Sequence, residues 1–102
     1  MADLAVTAAL WRHRGDTGWH FVTLPHDVAD EIADRVEDPT GPTRGFGSVR
    51  VEVTCRSTTW RTSLFPDASS RSYVLPVKQA VRRAEGLSDG DQVSFRLRPV
   101  EG

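Results

Sequence analysis

Ser72-Tyr73-Val74-Leu75-Pro76-Val77-Lys78-Gln79-Ala80-Val81-Arg82-Arg83 reads as the end of a strand, a Leu-Pro corner and a short helix. Branched and aromatic residues favour the pleated wall, and proline suits the first turn of a helix. The same grammar occurs earlier, in Phe21-Val22-Thr23-Leu24-Pro25-His26-Asp27-Val28-Ala29-Asp30-Glu31-Ile32. The two Leu-Pro pairs lie 51 residues apart in a chain of 102. This is a weak internal repeat, with halves at about 4–55 and 58–100, each ordered strand, strand, helix, strand.

Upstream of the first corner, Leu4, Val6, Ala8 and Leu10 share one face of strand one. Arg14-Gly15-Asp16-Thr17-Gly18 is a turn cluster, and Trp19 to Leu24 returns as the second arm of a hairpin. Its Arg14-Gly15-Asp16 spells an adhesion tripeptide, read here as chance. After Pro25, the residues Val28, Ala29, Ile32, Ala33 and Val36 recur at helical spacing, and Asp38-Pro39-Thr40-Gly41-Pro42 stops the helix. A polar loop runs on to Gly45 and is expected to be mobile. Gly47-Ser48-Val49 opens strand three, where Val49, Val51, Val53 and Cys55 alternate with Arg50, Glu52, Thr54 and Arg56. Strand four, Thr59 to Phe65, points Trp60, Thr62 and Leu64 inward; Pro66 to Ser70 is a turn, and Arg71 to Leu75 is strand five. The helix after Pro76 is expected to bury Val77, Ala80, Val81 and Ala84, and Gly86 to end it in a left-handed cap. Leu87 to Asp91 turns the chain into strand six, Gln92 to Val100, with Val93, Phe95 and Leu97 inward.

A shift of 51 lays strand one on strand four and strand two on strand five, with strand three about seven residues late. Neither half can bury its strands alone. Interleaved about a pseudo-twofold axis, they close a ring and remove the open edges. The fold class that follows is mainly β with two short helices: a six-stranded small closed barrel covered at its ends by those helices, one domain spanning 1–102.

Composition sets further bounds. The net charge of −1 gives no global field toward nucleic acid or membrane, so any electrostatic site is a local patch. The single cysteine, Cys55, excludes an intrachain disulfide and reads as a small core residue rather than a nucleophile. No signal pattern and no long apolar run occurs, which makes a cytoplasmic location the expectation.

Four runs together resemble one bacterial family: Gly18-Trp19-His20-Phe21-Val22-Thr23-Leu24-Pro25, Gly45-Phe46-Gly47-Ser48-Val49-Arg50-Val51, Trp60-Arg61-Thr62-Ser63-Leu64-Phe65-Pro66 and Tyr73-Val74-Leu75-Pro76-Val77-Lys78. The combination is similar to the domain-of-unknown-function family DUF1905 over nearly the whole chain. The resemblance implies a small β-barrel and no established activity. Members resemble single-domain proteins, or domains fused ahead of a segment linked with bacteriocin protection; with Gly102 as the last residue read, the expectation is a chain without that segment. A looser likeness is architectural: Leu75-Pro76, a helix, Gly86-Leu87, Gly90-Asp91 and Val93 look like the half-barrel of AbrB-type transition regulators, which bind DNA.

The candidate site is a set of donors. Arg61 and Ser63 share the outer face of strand four, and Lys78 and Arg82 lie one turn apart on the second helix, with Lys78 near its start. A cation there opposes the helix dipole, so it is set against its local preference. The ligand expected for Arg61, Ser63, Lys78 and Arg82 is a small or peptidic anion, and the protein a small binding module without cofactor or metal, a monomer or weak homodimer. His13, His20 and His26 lack metal-ligand spacing, and the acids Asp27, Asp30, Glu31 and Asp34 read as a solvated helix face. Two rival readings stand beside this one. A DNA-binding AbrB-like regulator would use the basic second half, although the near-neutral charge argues against nucleic acid. A small barrel enzyme would need an inward polar residue, for which Thr62 is the strongest candidate.

Overall fold

Period-two alternation builds the walls of this protein. The computed structural model describes residues 3–14, 18–35 and 48–100. Its elements are β1 (Leu4–Arg12), β2 (His20–Thr23), α1 (His26–Arg35), β3 (Val49–Cys55), β4 (Thr58–Asp67), β5 (Ser72–Pro76), α2 (Gln79–Glu85) and β6 (Gln92–Pro99). The strands close an antiparallel barrel in the order β1-β2-β5-β4-β3-β6. Gly15 and Asp16, Val36, the stop at Asp38 to Pro42, the loop to Gly45 and the opening Gly47 lie outside the described residues.

Strand β3 shows the cause most plainly. Its odd-numbered residues Val49, Val51, Val53 and Cys55 are buried while Arg50 is exposed. Strand β6 answers with Val93, Phe95 and Leu97 inward, and β1 with Val6 and Leu10. Each fully buried Val, Leu or Phe contributes roughly 1.5–3 kcal/mol. These inner faces form one core with Leu64, Tyr73 and Leu75, and with Ala29 and Ile32 of α1. The burial of Cys55 pushes its thiol pKa up, so it packs as a small apolar group.

Exchanging β1 with β4, β2 with β5 and β3 with β6 maps the ring of strand pairings onto itself. The offsets differ from element to element. Val22 pairs with Leu10, and its counterpart Tyr73 pairs with Pro66, so β1 overlays β4 at an offset of 56 rather than 51. Val6 pairs with Phe95 and its counterpart Thr62 pairs with Val51, which sets β3 over β6 at an offset of 44. The helices break the exchange: α1 packs against β5 and α2 against β4.

Two boundaries depart from the sequence reading. Strand β4 runs on through Pro66 and Asp67, and the turn follows later, where the Asp67 carboxylate accepts hydrogen bonds from Ser69 and Ser70 and Arg71 takes a left-handed φ of 56°. Those donors hold the Asp67 pKa below the usual carboxylate range. Helix α2 starts later than the proline suggests. The N–H of Val77 donates to the carbonyl of His20 at 2.9 Å, so the chain stays paired with β2 past Pro76. Lys78 is still extended, with ψ 159°, and serves as the N-cap. The delay rotates the helix: Ala80 and Ala84 face solvent, and Val81 is the buried residue of α2. Gly86 closes it at φ 65°, its N–H donating to the Arg82 carbonyl.

Candidate functional site

The barrel wall splits beside β4. On one side β4 pairs with β3 from Thr58 to Leu64; on the other it pairs with β5 only from Phe65 to Asp67. The register locates the backbone groups that face this gap. The Arg50 carbonyl accepts from the N–H of Val100, on the β6 side, so the even-numbered residues of β3 bond toward β6 and the odd ones toward β4. Val51 opposes Thr62, which puts the backbone groups of Thr62 on β3 and those of Arg61 and Ser63 on the opposite edge. Continuing the β4–β5 ladder from Phe65 opposite Val74 would bring Ser63 against Pro76, which has no N–H to give. The ladder stops there, and the chain leaves for α2.

The gap is a cleft of about 320 Å³. Trp60 and Thr62 of β4, His20 at the start of β2, and Pro76, Val77 and Lys78 at the corner line it, with Arg61 and Arg82 at its sides and Trp19 at its lip. Trp60 is 8% exposed and forms the apolar floor. Trp19 is 54% exposed and stacks on Phe21 at a centroid separation of 6.0 Å, continuing an aromatic group that includes Trp11. The ring of His20 is fixed: Gly18 offers a carbonyl, which accepts, so Nδ1 carries the proton at 2.7 Å. The other nitrogen, Nε2, is then an acceptor in the neutral ring.

Three of the four residues expected from the sequence meet at this cleft: Arg61, Lys78 and Arg82. Ser63 does not line it. The three cations are not equivalent. Arg61 lies 3.5 Å from Glu52, which Arg98 also holds at 2.8 Å. Hydrogen bonding and charge from Arg98, then Arg61, hold the Glu52 carboxyl below its usual range. Arg82 spends Nε on the Val77 carbonyl at 3.1 Å, which ties the helix to the corner. Lys78 makes no side-chain cap bond, and among the described residues its ammonium has no ion-pair or hydrogen-bond partner. Among the described residues, none that lines the cleft is acidic.

Helix α2 has seven residues, too short for its dipole to carry a site, so the cations and the exposed strand edge carry the electrostatics. The sequence reading missed His20 as a cleft residue. Its signal was present, since His20 shares the period-two face of Val22 and Leu24. It joins Thr62 as an inward polar group.

A family model described as Domain of unknown function (DUF1905) matches residues 7–97, from within β1 to within β6. The chain belongs to this family. No curated protein matches it.

Proposed function

We propose that this DUF1905 domain is a small cytoplasmic binding module that holds an anion, small or peptidic, in the cleft between β4 and α2. The observation that carries the reading is Lys78: an ammonium group beside a tryptophan floor, with neither a partner nor an acid lining the cleft among the described residues. Water is partly displaced from such a place, so an arriving carboxylate or phosphate gains more than it would at an open surface. Arg82 and Arg61 add charge from the two sides, and Trp60 and Trp19 add apolar area. The volume is at the lower end of ligand pockets, about 300 Å³, which suits a small ligand or the end of a chain.

The test is an amide-shift titration of the ¹⁵N-labelled protein with 2-naphthoate and with inorganic phosphate. Shifts are expected at Gly18 to His20, Arg61, Thr62 and Lys78 to Arg82, and their loss in the Lys78→Ala, Arg82→Ala double variant. A double variant that binds like the parent ends the proposal.

One observation favours a second reading. The outer face of β3, β4 and β6 gathers Arg50, Arg61, Arg96 and Arg98 around Glu52. Read as a DNA-binding AbrB-like regulator, the protein uses these arginines for its phosphate contacts. Its test is the salt dependence of duplex binding, expected to be steep and reduced by Arg96→Ala with Arg98→Ala.

A further inference from the structure

The cleft's geometry favours one chemical form of anion over others. We infer that it takes the C-terminal carboxylate of an extended peptide, paired as an added strand on the free edge of β4. The inference rests on the anion-binding reading above and narrows it.

An unpaired strand edge offers a row of N–H and C=O groups to another chain. Strand addition uses that row for affinity and pockets under alternate side chains for selectivity. Here the row is short, and Arg61 is the member of it that lines the cleft. The backbone groups of Arg61 and Ser63 point away from β3, on the side that β5 leaves after Val74. A peptide entering there continues the ladder that Pro76 cannot. Unlike Pro76, it brings an N–H to face Ser63.

Charge complementarity sets which end of the peptide enters. The corner brings Lys78 to the end of the gap, since Val77 is held back on His20 and Lys78 is the next residue. Arg82 stands one turn further along α2, fixed by its bond to the Val77 carbonyl. A carboxylate at that end meets two cations and, among the described residues, no acid. A free amino terminus would meet the same cations and be repelled. The period of the added strand turns one side chain of the peptide inward, over Trp60 and His20, so an apolar or aromatic residue is expected there.

The test uses a library of peptides with randomised residues and a free C-terminus, selected on the intact protein. The best binder is then remade as the C-terminal amide and with N-methylated backbone in its last residues. Losing a charge-assisted hydrogen bond is expected to weaken the amide by about tenfold or more. N-methylation is expected to weaken binding similarly, because it removes ladder donors. The Lys78→Ala, Arg82→Ala double variant is expected to bring acid and amide to the same affinity, and the peptide to slow amide exchange at Arg61 and Ser63. Equal binding of acid and amide, or no effect of N-methylation, overturns the inference. So does a library that yields no binder while 2-naphthoate shifts the cleft amides, and the anion-binding reading then stands. If neither probe binds the cleft, both fall.

Discussion

Replacing Trp60 by alanine tests the core and the cleft at once. Trp60 opposes Val53 across β3 and β4, and Val53 is wholly buried, so the indole packs into the barrel while its edge lines the cleft. A buried indole removes about 150–250 Å² from water, and at about 25 cal/mol per Å² this bounds the loss at about 4–6 kcal/mol. Truncations of this kind measure roughly 3–5 kcal/mol, part of which is the void left behind. The void here opens into the cleft, where water enters, so the void's share is small and the expected loss is about 3 kcal/mol. Domains of this size hold about 5–15 kcal/mol in all, so the variant folds with a reduced margin. With a urea slope of about 1–3 kcal/mol per M, the midpoint falls by about 1–3 M, and the thermal midpoint by about 12–24 °C. Trp60→Phe keeps most of the apolar contact and is expected to fall by less than half as much. A midpoint unchanged in Trp60→Ala, with the slope also unchanged, refutes the placement of the indole in the core.

Three further outcomes follow from local contacts. The Glu52 carboxyl, depressed by Arg98 and Arg61, is expected to titrate below an exposed glutamate by carbonyl ¹³C shift and to return toward the ordinary value in Arg98→Ala; its favourable contribution is present above the unfolded-state pKa and lost as pH falls through the folded one. Gly86→Ala places a Cβ on a residue with φ 65° and nothing within 4 Å, so it meets backbone strain without a clash and is expected to cost about 1 kcal/mol in urea unfolding. Ser72→Ala removes the buried hydroxyl that donates to the Leu24 carbonyl at 2.7 Å, tying β5 to the first Leu-Pro corner, and is expected to cost about 1–2 kcal/mol by the same measurement.

The barrel was legible because its signals are local. The alternation of Val49, Val51 and Val53 with Arg50, Glu52 and Thr54 fixes which face is inward without knowledge of any partner. Each Leu-Pro pair marks where a strand gives way to a helix. The errors arose where a distant group decides a local boundary. Val77 stays extended because His20, far away in sequence, accepts its N–H, and this alone moves α2 and exposes Ala80 and Ala84. Asp67 belongs to β4 because Ser72 pairs with it, a fact the Pro66 turn signal conceals. In the candidate site, the cations at Arg61, Lys78 and Arg82 could be named from charge and spacing. The cleft between them could not, since it depends on where the β4–β5 ladder stops, at Phe65.

The two helical corners share a grammar but differ in what lies beneath the helix. Counted from the first residue of each helix, Ala29 in α1 corresponds to Arg82 in α2, and Ile32 to Glu85. Ala29 and Ile32 are buried in the core and need no directional partner. Arg82 is half-buried and bonds the Val77 carbonyl. The Glu85 side chain is 6% exposed, accepts from the hydroxyl of Thr58 and pairs with Arg56. Apolar side chains interdigitate until the space is filled, whereas hydrogen-bonded ones stay where their partners hold them. Helix α2 is also shorter, seven residues against ten, and buries Val81 alone. Its inner face therefore cannot follow the wall where β5 departs from β4, and the space between stays open. The cleft is a consequence of polar residues at positions that α1 gives to the core, and the same substitution supplies one of its cations.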